Sequence, residues 1–202
     1  MGHPVTVCVL GAVGGLGHHL AAEFGTSAIG LDDDLPNECD GVIVVVGDDP
    51  GPTPRPIKDM SEPEWRDTAE TVAFRVMRVL QRARVVTAAR RGNIVVITPS
   101  IGLVGGPELS HYVSGIEAVR ALAKSAARQW APERISVNLI VVPLELVAGE
   151  AGDLARHVGS AARKDADLAD AVVRAAKFLL SGAGPGLTGS TMVVDGGAVM
   201  VP

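Results

Sequence analysis

Aromatic side chains are nearly missing from this sequence. They make up 3% of its 202 residues: three Phe, two Trp and one Tyr. A core for a chain of this length must then be built from Ala, Val, Leu and Ile, in keeping with the 47% apolar content. There is no excess of basic charge. The net charge of −5 argues against general nucleic-acid binding. No apolar run reaches the length needed to cross a membrane, and no basic stretch followed by a long apolar one opens the sequence, so a cytoplasmic protein is expected. Cysteine is scarce. Cys8 lies in an apolar run and Cys39 in a polar one, and two reduced thiols are the expectation. No Cys/His cluster has metal-ligand spacing, so no metal is expected. Repeats and low-complexity tails are absent, and residues 1–202 read as one domain. Proline gathers in Pro50-Gly-Pro-Thr-Pro-Arg-Pro56, a segment expected to be extended and stiff.

What is present is organised around residues 5–32. Val5, Val7, Val9 and Leu10 form a short β-branched run, as in a parallel strand covered on both faces. Gly11, Gly15 and Gly17 follow at once. Glycine lets the backbone turn tightly and lets a phosphate approach the peptide N–H groups. Leu16 to Phe24 reads as a helix whose positive end would face a pyrophosphate. Asp32 closes a second strand, 21 residues after Gly11, where a carboxylate would bond the ribose 2′-OH of NAD. The other reading is a glycine turn used only for close helix–strand packing.

Beyond Asp32 only eight residues, 33–40, precede the apolar run Gly41-Val-Ile-Val-Val-Val-Gly47. Eight extended residues reach about 27 Å, just enough for a taut return without a helix. Ser61-Glu-Pro-Glu64 has the pattern of a helix start, and Val72, Val76, Val79, Leu80 and Ala83 continue one helical face to about Arg90. A strand follows at 93–98, a glycine-rich loop at 99–109, a long helix at 110–130 and a strand at 134–142. Residues 143–159 read as a loop with one short helix. A helix at 165–180 and a strand and turn at 189–197 end the pattern. This alternation predicts a doubly wound α/β sheet, Rossmann-like and three-layered (α/β/α), with about six parallel strands.

These motifs resemble the short-chain dehydrogenase/reductase family over nearly the whole length. The resemblance rests on Gly11-xxx-Gly15-x-Gly17, Asn93-Ile-Val-Val-Ile, Tyr112, the stretch Lys124 to Asn138, and Thr188-Gly…Val194-Asp-Gly-Gly197. It implies strand order 2-1-4-5-6-7 in the family's labels, with the third strand missing. It also implies NAD(H) as the cofactor if one binds, on Gly11, Gly15, Leu16, Gly17 and Asp32, and assembly as a homo- or hetero-oligomer through helices at about 62–90 and 110–130. An active family member is one partner this allows.

The family's catalytic partners do not carry over. Its lysine, one helical turn after the tyrosine, is Ile116; its serine aligns with Pro99, flanked by Thr98 and Ser100; its asparagine aligns with Val72. Without the cation, a phenol with a pKa of about 10 is a poor base at neutral pH. Asp48 and Asp49, at the end of the middle strand, would repel a dinucleotide's phosphates or point to solvent. His111 is a replacement acid or base, or a polar helix start. His18 and His19 would touch a phosphate or simply be exposed, and Glu108 would pair with His111. The expectation is a protein of this fold with a degenerate centre, acting as a structural or regulatory subunit. The alternative is an atypical NAD(H)-dependent ketone/alcohol oxidoreductase that uses Tyr112, with Thr98 or Ser100 orienting a carbonyl.

Overall fold

A computed structural model describes residues 6–11, 15–48, 50–181 and 186–200. Val5, the middle of the glycine turn and Asp49 lie outside the described residues. Six strands form one sheet: β1 (Val7–Leu10), β2 (Ala28–Ile29), β3 (Gly41–Val45), β4 (Asn93–Pro99), β5 (Ser136–Val142) and β6 (Thr191–Val193). Their order is β2-β1-β3-β4-β5-β6, with every neighbouring pair parallel. This is the doubly wound sheet expected, with the family's third strand absent. The central strands are apolar on both faces because helices cover both sides: α1 (Leu16–Glu23) and α7 (Leu168–Leu180) on one, α3 (Thr71–Ala88) and α5 (Ser110–Trp130) on the other.

Two helices begin at a side-chain cap: α7 at Asp167, which accepts the Asp170 N–H at 3.0 Å, and the helix that leads into α3. Ser61 and Glu64 make a reciprocal capping box: the Glu64 N–H donates to Ser61 Oγ at 3.4 Å and the Ser61 N–H to Glu64 Oε2 at 2.9 Å. From there α2 (Glu62–Trp65) runs through a π-helical turn at Arg66–Glu70 into α3. Along α5, Tyr112, Ile116, Val119, Ala123, Ala127 and Trp130 are buried at the three- and four-residue spacing of one face. Each large aliphatic side chain on it contributes about 1.5–3 kcal/mol. Gly115 allows the close approach of α5 to α3, since a Cβ there would lie 2.4 Å from Val72 Cγ1.

Three sequence expectations need correction. β2 is only two residues long, so Asp32 lies beyond its end, in a turn. The return from residue 30 to residue 40 has no helix, as its length required, and Asp40 latches its end by accepting the Thr6 N–H at 2.8 Å. The cysteines are not free thiols. Cys8 and Cys39 form a disulfide with their Cα atoms 6.8 Å apart, because the taut return delivers Cys39 beside β1 just before β3 pairs with it. Their separation of 31 residues hides this adjacency from the sequence. Residues 143–159 are more ordered than a loop: α6 (Leu144–Ala148) is followed by tight 3-10 turns over Gly149–Val158. α4 (Ile101–Val104) adds a short turn after β4.

Candidate functional site

In doubly wound sheets the ligand crevice lies outside the C-terminal strand ends. Gly11 stands there, at the end of β1, with φ 79°. Its N–H donates to Ile29 O at 2.8 Å, and a Cβ on it would fall 2.0 Å from Val45 O. The glycine is thus required by the close approach of β1 to β3. Gly15, with φ 54°, precedes α1, on which Leu16 and Gly17 are buried.

Asp32 does not stand alone. Its carboxylate, 70% exposed, accepts from Arg75 of α3 at 2.8 Å. Arg82, two turns further along the same helix, donates to the carbonyls of Leu31, Asp32 and Asp33. Asp33 accepts the Gly30 N–H at 2.7 Å. Two arginines from a distant helix therefore hold the turn after β2, where the family's strand and helices are missing. The sequence reading missed both. Their i,i+7 spacing on one face of α3 was the available signal.

At the other end of the crevice the space is filled. Tyr112 is 1% exposed, and its hydroxyl donates to Gly47 O at 2.8 Å. Burial, reinforced by the negative charge of Asp48, pushes the phenol far above its ordinary range. Ile116, one helical turn further along α5, is buried as well. Val147 of α6 covers Gly47, leaving only 2.6 Å between its Cγ2 and a Cβ on that glycine. The same helix reaches the glycine turn, where Leu146 O lies 3.7 Å from a Cβ on Gly15. α6 therefore bridges the path from Gly15 to Gly47 that a pyrophosphate would follow. The described residues do not fit a dinucleotide lying in the crevice, and the misfit is greatest at the Tyr112 end.

The remaining sequence candidates fall around this plug. Thr98 and Ser100 are buried at the end of β4; the Ser100 N–H donates to Val142 O at 2.7 Å. Pro99 pairs in register with Val142. Val72, at the asparagine position, packs on Gly115. His111 is buried, and its Nδ1 has no hydrogen-bond partner among the described residues. Desolvation lowers its pKa, opposed by the Glu64 carboxylate and the Thr53 backbone. Glu64, not Glu108, is therefore the carboxylate acting on His111. His19 pairs with Asp170 of α7 at 3.0 Å, and His18 is exposed. No group of His, Cys, Asp and Glu suited to a metal occurs among the described residues.

A parallel sheet in this order, with a glycine turn after β1 and helices on both faces, defines a Rossmann-like α/β protein. A family described as Enoyl-(Acyl carrier protein) reductase matches residues 33–199. The chain belongs to the short-chain dehydrogenase/reductase family. It is 32% identical over 151 residues to the 3-oxoacyl-[acyl-carrier-protein] reductase FabG of Staphylococcus aureus, covering 70% of this chain and 59% of that one. The FabG of Escherichia coli is 28% identical over 151 residues, covering 70% and 60% respectively. The match thus spans about 60% of the length of these relatives. Among solved structures, the TT0495 protein from Thermus thermophilus superposes with a TM-score of 0.74 at 19% identity, over 96% of this chain and 98% of that one, which bears on the fold alone.

Proposed function

We propose that the chain is a single-domain, cytoplasmic member of its family that does not carry out hydride transfer and serves as a structural or regulatory subunit of an oligomer. Tyr112 carries this reading. The hydroxyl that would move the substrate proton is buried and spent on the carbonyl of Gly47, the glycine on which Val147 packs, and Ile116 stands where a cation would lower its pKa. A phenol held neutral this strongly is no base near neutral pH. The outward faces of the long helices support the assembly half. Phe74 and Val85 of α3 are 57% and 67% exposed, and a cavity of about 600 Å³ lies beside Phe74, lined also by Arg66, Asp67, Met77 and Leu122. Large exposed apolar side chains on paired helices suit a partner of the same fold, either a second copy or an active homologue.

The resemblance to FabG-type reductases and the retained Gly11, Gly15 and Asp32 favour a second reading, an atypical NAD(H)-dependent ketone/alcohol oxidoreductase. It requires α6 to leave the crevice. Titration calorimetry of the purified chain with NADH and then NADPH separates the two. The expected result is no heat of binding for either at about 1 mM. Micromolar binding of NADH, with a reductase activity abolished by Tyr112→Phe, would overturn the first reading.

A further inference from the structure

The N-terminal ends of the strands, opposite the crevice, hold a second concavity. It encloses about 510 Å³ and is lined by Arg91, Asn93, Arg134, Ser136 and Thr188 among others. Among the described residues only three non-glycines have left-handed backbone, and two of them are Arg91 (φ 52°) and Arg134 (φ 62°). The sheet register explains why they come together. Asn93 pairs with Ser136, so each arginine stands two residues ahead of a paired position, at the same level on neighbouring strands. Glycine occupies such a conformation without strain, so the two long cationic side chains are held where the backbone disfavours them.

Both guanidiniums lack an ion-pair partner among the described residues. The neighbouring Glu133 is taken by Arg84 at 2.9 Å. The cavity wall adds uncharged donors. Thr188 Oγ1 accepts the Val137 N–H at 3.3 Å, which leaves its own hydrogen to donate inward, and Ser136 contributes a second hydroxyl. Planar guanidinium forks suit tetrahedral oxyanions, and two cations match the charge of about −2 on a phosphate monoester. The volume exceeds a bare phosphate and falls within the range of small-molecule sites.

We propose that this cavity is a binding site for a small phosphate monoester, at the opposite end of the sheet from the family's cofactor crevice. The test is calorimetry at low ionic strength on the full chain, with inorganic phosphate and with glucose 6-phosphate as probes. Arg91→Gly and Arg134→Gly keep the backbone conformation, so the thermal midpoint should hold or rise in both variants. Each should weaken saturable binding about tenfold, and together about 100-fold. Loss of either probe's binding in the double variant supports the site, and the tighter probe tells free phosphate from its ester. The absence of saturable binding at about 10 mM of both probes would overturn the proposal. So would binding undiminished in the double variant, which would place the anion at another site such as the glycine turn.

Discussion

The two ends of the crevice differ in kind. At the β1–β2 end, backbone geometry is kept for close approach: Gly11 at φ 79° fits under Val45 O, and the turn after β2 is polar, exposed and braced by Arg75 and Arg82. At the β3–β5 end, apolar packing prevails. Val147 lies on Gly47, Ile116 on Gly102, and Val72 on Gly115. A glycine needed for chain path persists whatever the site does, whereas a catalytic side chain can be replaced by a core residue once its chemistry is not used. The contrast teaches that glycines alone are weak witnesses to cofactor binding in this chain.

The largest effect should come from Gly11→Ala. The new Cβ would meet a backbone carbonyl at 2.0 Å in a left-handed conformation, and neither partner can move without disturbing the sheet. Destabilisation of about 4 kcal/mol is expected, read from denaturant midpoints. A loss below about 1 kcal/mol would show that the glycine is not held by packing and would return weight to a phosphate role.

Tyr112→Phe should come next. It leaves Gly47 O buried without its donor and should cost about 1–3 kcal/mol, with a wild-type midpoint as reference. The phenol adds a pH signature. Its pKa is raised in the folded state, so the stability it contributes is complete below the unfolded value of about 10 and is lost as pH rises beyond it. Tyr112 is the only tyrosine in the chain, so difference absorbance of tyrosinate reads it directly. Native protein should ionise only as it unfolds. A phenol that titrates near its ordinary value in folded protein would mean the plug is open to water.

Much of this was legible in the sequence because it depends on local pattern. The β-branched runs, the Ser61–Glu64 capping box and the apolar face of α5 each follow from residues close together in the chain. So did the helix-free return of residues 33–40, which chain length alone dictates. Ile116, Pro99 and Val72 were legible as identities at the positions where the resemblance expects a lysine, a serine and an asparagine, but how they pack was not. That Val147 would cover Gly47 needs the position of α6, set by packing across 100 residues of sequence. The Cys8–Cys39 bridge, the Arg75–Asp32 pair and the brace from Arg82 were hidden for the same reason: each joins groups that only the sheet order brings together. β2 was read as longer than it is because Ala28-Ile-Gly-Leu31 is apolar, and apolarity does not distinguish a paired residue from one tucked under a turn.

The smallest effect sharpens the polar end of the comparison. Arg75→Ala removes the partner of a carboxylate that is 70% exposed. Exposed ion pairs contribute little, because solvent screens the charges and both side chains lose freedom. A change within about 1 kcal/mol is expected in thermal or chemical unfolding. Arg82 should still hold the turn, since its bonds go to the backbone carbonyls of residues 31–33 rather than to the Asp32 side chain. The informative readout is the added titration with NADH. If Arg75 merely neutralises a surface carboxylate, releasing Asp32 leaves the chain as unresponsive to NADH as before, because α6 still bridges Gly15 and Gly47. If Arg75→Ala confers NADH binding, the Asp32–Arg75 pair, and not the apolar plug, is what keeps the cofactor out, and the order of importance of the two ends is reversed.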